Sequence, residues 1–331
     1  MQNGRSTISR IICSAASFCV FLQFLCLTGV GSLRASEPLH DQIDRLIFSG
    51  TPGYEHIAAP IASDAEFLRR VCLDLTGMIP TAEEAREFLS NRNSAKRSQL
   101  IGRLLASPEY ARHMQRMFDV MLMRRLPLKN VSTTEWETFL RKSFAENKPW
   151  DRIAREILSA DGSDPKQRGA ARFYLDRDGD VNQITRDIGR IFLGADLECA
   201  QCHDHPEIDD YKQHHYYGIS AFLVRSFLFT DKKSKKVVFA EKAEGEVSFI
   251  SVFAPPEEKK KGNKSTKPKL FVGPVVAEPF FKKGDAYKVK PAKDVRPIPK
   301  FSRRALLPES MTSPENRRFA RTAVNRLWEM M

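Results

Sequence analysis

From about residue 39 to 225 the chain repeats one pattern: a helix-start signal, then apolar residues recurring every three or four positions. Ser63 with Glu66, Thr81 with Glu84 and Thr134 with Glu137 each read as a capping box. In such a box the hydroxyl and the carboxylate satisfy opposite backbone donors. Ser107-Pro108 places Pro at a first helical position. Behind these starts come Leu100, Leu104 and Leu105; Met114, Met117, Phe118 and Met121; Trp136, Phe139, Leu140 and Phe144; and Ile153, Ile157 and Leu158. Gly77 and Pro80 stop the second helix, and Ile184, Ile188, Ile191 and Phe192 mark another that ends at Gly194. The stripe Met114, Met117, Met121 and Met123 reads as core, with a haem ligand as the rival reading. The fold class is therefore mainly α.

The helix that ends at Gly194 delivers the chain into Cys199-Ala-Gln-Cys202-His203, and a second helix follows from about Tyr211 to Val224. The motif thus sits in a tight connection between two helices. A c-type haem needs two thiols separated by two residues, which add to its vinyl groups, and an adjacent imidazole for the iron. Cys199, Cys202 and His203 supply these groups, with His203 as the proximal ligand. His214 or His215 is the candidate distal ligand, although a solvated histidine is an equal reading of each. Four of the seven histidines lie between 203 and 215. Zinc held by Cys199, Cys202 and His205 with His214 or His215 is therefore the alternative. A thiol–disulfide couple lacks the βαβ surroundings it needs, and a packing motif with satisfied histidines is the blandest reading.

Residues 1–35 carry Arg5, Arg10 and Arg34, no acid, an apolar run from Ile11 to Leu27, and small residues before Ser36. That is the order of a cleaved signal peptide, with an uncleaved anchor as the rival. A lipoprotein signal through Cys26 is weakened by Leu25, which stands where a small residue is needed. The expected location is periplasmic or otherwise exported, with no membrane span after cleavage. Cleavage leaves 296 of the 331 residues and lowers the formal charge from +12 to +9. Outside the cytoplasm such a charge points away from nucleic acid and towards an acidic protein or an envelope surface. Cys13, Cys19 and Cys26 leave with the signal, and Cys72 reads as a buried thiol, so the remaining pair Cys199/Cys202 has no disulfide scaffold to join.

After Arg225 the pattern turns to short strands: Val237–Phe239, Val247 to Val252, Leu270–Val272 and Val275–Val276. The stretch 257–269, with six lysines, reads as a solvated flexible loop, with a dedicated binding patch as the minority view. Pro291 to Pro299 resembles a linker. Ser313-Pro314 then opens a final helix with Phe319, Ala320, Ala323, Val324, Leu327 and Trp328 on one face. The expected organisation is 1–35 signal peptide, 36–225 helical domain, 226–300 small β-rich insertion, and 301–331 the start of a second helical domain. Asp176, Asp178, Asp180 and Asp187 miss the calcium-loop pattern, because Gly179 is out of place for it. They read as a polar turn before a helix. No nucleophile triad, phosphate loop or glycosidase carboxylate pair is visible.

Arg69-Arg70-Val71-Cys72-Leu73-Asp74-Leu75-Thr76-Gly77-Met78-Ile79-Pro80-Thr81 resembles the opening of a planctomycete cytochrome-like family, domain of unknown function 1549. Leu104 to Tyr110 and Phe192 to Pro206 resemble its later motifs. Asn316 to Arg321 and Asn325 to Trp328 resemble the opening of a companion family, number 1553, and imply a chain shorter than its full-length relatives. The resemblance implies haem attachment at Cys199, Cys202 and His203 and leaves His205 without a role. Met78-Ile79-Pro80 departs from the double proline common in the family. The function expected is that of an exported c-type haem protein, in electron transfer with an unknown redox partner or in haem-dependent redox chemistry. A zinc-stabilised, non-redox binding or structural protein of the cell envelope is the alternative.

Overall fold

The computed structural model describes residues 37–282 and 284–330. The expected signal peptide lies outside them. The chain divides into two compact units, one up to Ala62 and one from Ser63 onward. The described part of the first holds helices α1 (Leu39–Gly50) and α2 (Tyr54–Ile57), neither with a buried residue.

The second unit is mainly helical, and its helices begin where side chains can cap them. Ser63 accepts from the Glu66 backbone at the start of α3 (Asp64–Thr76), without the reciprocal carboxylate bond of a full box. Gly77, at φ 70°, ends this helix, and a side chain there would run into His113. Thr81 and Glu84 form the complete box of α4 (Ala82–Ser90). α5 (Lys96–Leu105) follows, and Leu68, Cys72, Phe88 and Leu100 from these three helices make a small core of their own. Burial pushes the Cys72 thiol pKa up, as suits an inert packing residue.

The larger core begins with α6 (Pro108–Met123), capped by Ser107 with Pro at the first position. It packs against α7 (Thr133–Ala145). The box that starts α7 is Ser132 with Glu135, not Thr134 with Glu137. The earlier start puts Val131 and Trp136 at the positions of a hydrophobic staple, and both are buried in the same cluster. α8 (Trp150–Ser159) and the short α9 (Arg172–Leu175) lead to α10 (Val181–Leu193), capped by Asp180. The aspartates around the start of α10 are structural: Asp176, ahead of it, holds Arg172, and buried Asp187, within it, pairs with fully buried Arg177 at 2.7 Å.

Beyond α11 (Gln213–Leu223) come three antiparallel hairpins. The first pairs β1 (Ser226–Thr230) with β2 (Val237–Glu241), Leu228 opposite Phe239. The second pairs β3 (Val247–Phe249) with β4 (Lys264–Thr266), with the short α12 (Pro256–Lys260) between them. The lysine-rich stretch, expected as a solvated flexible loop, is largely exposed but holds part of this helix and the whole of β4. It is anchored by buried Pro268 and Leu270 and by a Lys269 N–H bond to the Gly218 carbonyl. Strand structure was expected at Leu270–Val272 and Val275–Val276 and is absent there. The third hairpin pairs β5 (Tyr287–Val289) with β6 (Ile298–Pro299), so the expected linker is a closed turn, tied down by Arg296 on Asp161.

α13 (Leu307–Met311) and α14 (Arg317–Met330) complete the unit, the latter starting at Arg317 and not at Ser313-Pro314. Phe239, Leu270, Leu307, Met311 and Phe319 lie in one hydrophobic cluster with Trp136 and Ile188. The boundaries expected at 225/226 and 300/301 thus fall inside a single packed core. Arg303 and Arg225, both buried, each bridge Glu246 and Glu278, which fastens the hairpins to the helices.

Candidate functional site

α10 ends at Gly194, at φ 60°, where a side chain would meet the Thr322 hydroxyl at 2.7 Å. The chain then doubles back. The Ala195 N–H bonds the Gly189 carbonyl, and Ala195 and Leu197 are buried against the helix they have left. Only glycine at 189 allows this close return, since a Cβ there would sit 2.9 Å from the Ala195 carbonyl.

The return ends in a 3-10 turn, Cys199–Gln201, closed by bonds from the Cys202 and His203 N–H groups to the Cys199 carbonyl. In a turn of three residues per revolution, positions i and i+3 share a face. Cys199 and Cys202 are therefore on one side, both exposed, while Ala200 faces the core. Gln201 pins the turn twice: its side chain accepts from Arg186 at 2.6 Å, and its carbonyl accepts from the Tyr217 hydroxyl at 2.8 Å. Tyr217 is itself stacked on Phe249 of β3, ring centres 4.3 Å apart.

The four histidines have separate fates. The His203 ring approaches the Asp204 carbonyl at 2.7 Å through Nδ1. A carbonyl only accepts, so Nδ1 carries the proton in this bond, and in the neutral ring Nε2 keeps the lone pair. The same ring lies 4.9 Å from the Phe253 ring, centre to centre. His205 is committed locally, since its Nδ1 accepts from the Glu207 and Ile208 N–H groups. His215 is half-buried and stacked on Phe271 at 4.4 Å. Its Nδ1 accepts from the Lys212 N–H, and the Asp210 backbone beside it favours the ring's cation. Burial, reinforced by the His214 charge, pulls its pKa down to about 4. His214 is exposed, its ring 4.0 Å from that of His215.

Cys199, Cys202 and His203 are thus held in one turn. The four-ligand zinc set of Cys199, Cys202, His205 and His214 or His215 is not assembled. Among the described residues no three His, Cys, Asp or Glu side chains converge as metal ligands would.

Over residues 42–226, more than half of the chain, the sequence matches the family model PSCyt2, described as a protein of unknown function (DUF1549). The chain belongs to that family. The matched span of this PSCyt2 protein runs from α1 to the first residue of β1 and contains the whole cysteine turn. No curated protein and no solved structure proved similar.

Neighbours of the turn that the sequence did not disclose come from β3 and the loop after it. The Val252 N–H bonds the Cys202 carbonyl at 3.0 Å, and Phe253 stands 76 % exposed beside His203. Their only sequence signal is two adjacent apolar residues just ahead of a polar, proline-bounded stretch. Among the described residues no helix is long and apolar enough to cross a membrane.

Proposed function

We propose that this PSCyt2 protein carries a c-type haem on Cys199, Cys202 and His203, works outside the cytoplasm, and serves electron transfer or haem-dependent redox chemistry. The observation that carries the reading is the state of His203. Its Nδ1–H is engaged by a backbone carbonyl, which orients the ring and leaves Nε2 as the donor atom. Histidine ligands to metals are oriented in this way by a bond from the second ring nitrogen.

The surroundings fit the group. Both thiols are exposed on one face of a single turn, which covalent attachment requires. Val252, Phe253 and Ile208 are exposed apolar side chains on the segments that flank the motif, a surface suited to cover by a flat apolar macrocycle. A bound haem supplies a one-electron couple, tuned by its axial ligands and its exposure. Arg186, Tyr217 and the Val252 backbone keep the turn in register, and Asp204 holds the His203 proton. With the His215 Nδ1 already an acceptor and its half-buried ring stacked on Phe271, the exposed His214 is the better candidate for a sixth ligand. A vacant sixth position would instead favour small-molecule chemistry.

We also read residues 1–35 as a cleaved export signal and Asn316 to Trp328 as the opening of the companion family 1553. Supporting the latter, Val324, Leu327 and Trp328 of α14 are exposed apolar residues.

Expression in a host with a cytochrome c maturation system tests the haem. The product should keep its haem through a denaturing gel and stain for haem peroxidase activity, because thioether bonds survive denaturation. The variant Cys199→Ala/Cys202→Ala should not stain, and His203→Ala should change the spin state or the yield of attachment. A colourless protein holding about one zinc per chain, unfolded by a chelator, would establish the zinc alternative instead.

A further inference from the structure

The methionine stripe of α6 is only partly consumed by the core. Met114 and Met121 line a cavity of about 160 Å³, with Phe118, Phe144, Trp150 and Leu327 among its other walls. It lies between α6, α7, α8 and α14. The aromatic side is already organised: Phe118 is 4.6 Å from Phe144 and 5.4 Å from Trp150, ring centre to ring centre. A closed apolar cavity of about 150 Å³ accepts one benzene-sized molecule, and this one, open to solvent on one side, has that size. Flat walls with polarised edges favour a ring over a branched aliphatic group. Methionine side chains adapt their shape to such a guest.

The polar part of the lining tells what the ring should carry. Tyr110, Asn147, Lys148 and Arg326 all reach this cavity. Among the described residues neither the Tyr110 hydroxyl, whose pKa burial pushes up, nor the Asn147 side-chain amide has a hydrogen-bond partner. Lys148 is neutralised by Glu156 at 2.7 Å. Arg326 donates to the Arg190 carbonyl, and its nearest carboxylate is exposed Glu329 at 4.0 Å. One largely uncompensated guanidinium and a free phenol favour an acceptor group with negative charge and disfavour a cation.

We infer that this cavity is a binding site for a small aromatic carboxylate, its ring among Met114, Met121, Phe118, Phe144 and Trp150 and its acid group towards Tyr110 and Arg326. The site is separate from the cysteine turn and does not depend on haem.

Calorimetric titration of the purified chain with benzoate, and with benzyl alcohol as a neutral counterpart, tests the inference. Benzoate should bind the native protein and raise its Tm. Arg326→Gln should weaken benzoate about tenfold, the worth of one charge-assisted bond, while leaving benzyl alcohol unchanged. Ala323→Phe and Leu327→Trp should each reduce binding of both compounds at least about tenfold by filling the space. Leu327 is exposed, so that variant should fold even where Ala323→Phe does not. Failure of both compounds to bind, or unchanged affinity in Leu327→Trp, would overturn the site. Equal losses for both compounds in Arg326→Gln would overturn the carboxylate.

Discussion

Arg186 and Asp187 are neighbours on α10 and serve regions of opposite character. Arg186 reaches outward to Gln201 and steadies the cysteine turn, whose thiols are exposed. Asp187 points inward and meets Arg177, which is fully buried, shares its guanidinium with the Phe173 and Leu122 carbonyls, and covers the Phe173 ring. One helix therefore fixes an exposed surface turn with a few polar contacts and anchors itself with a charge pair almost wholly withdrawn from water. The residues proposed to hold the haem should be nearly free to change without loss of fold, and the residues that position them should not.

The sharpest way to break this contrast is to remove one member of the buried pair. Asp187→Ala strands the Arg177 charge and should cost about 3–5 kcal/mol, read as a lowered urea midpoint. A loss below about 1 kcal/mol would mean that water reaches the pair and that the two sides of α10 do not differ as described.

The hairpin arm beside the turn gives a smaller effect of the same kind. Leu270 belongs to the main core, and Leu270→Ala should cost about 2–3 kcal/mol. Shortening the exposed stretch 260–263 in the same arm should leave Tm almost unchanged. Equal losses would show that the arm is held along its whole length rather than at its buried foot.

Acid should weaken the segment after the turn through His215. The unfolded ring takes its proton near pH 6.5, but the folded ring only near 4, because burial disfavours the cation and Nδ1 is already an acceptor. Its contribution is complete above about pH 6.5 and fades as pH falls towards 4. Discounted for a half-exposed ring, it amounts to roughly 1–2 kcal/mol. Stability measured between pH 4 and 7 should be flatter in His215→Gln than in the native protein. An identical pH profile would remove His215 from the account.

The smallest expected change is at the motif itself. In the haem-free protein, Cys199→Ala/Cys202→Ala should alter stability by no more than about 0.5 kcal/mol, because exposed thiols bury little. A large loss in the unfolding midpoint would show that the cysteines are structural, as the zinc reading requires.

The helical half of the fold was largely legible, for a local reason. Caps and stops such as Thr81 with Glu84, Ser107-Pro108, Gly77 and Gly194 act on their own helix ends, so nearby residues suffice to place them. The α7 box was misplaced by two residues, because Ser132 with Glu135 and Thr134 with Glu137 satisfy one rule and burial of Val131 chose between them. The strands were less legible. β4 is Lys264-Ser265-Thr266, which lacks any apolar alternation, and it exists because β3 offers it a partner. β1 went unnoticed, although Phe227 to Phe229 are apolar, because the helix before it runs straight into the strand.

By itself the sequence determined most of the helix ends before Gly194, the inert role of Cys72, and the grouping of Cys199, Cys202 and His203. Each of these depends on residues within a turn or two of one another. Only the tertiary structure decided that the hairpins and α14 share the helical core, that Arg177 is buried beside Asp187, and that His205 and His215 are already engaged. The reason is that burial and ring orientation follow from surfaces brought together across long stretches of chain. No local pattern encodes which apolar face, or which carbonyl, a residue will meet there.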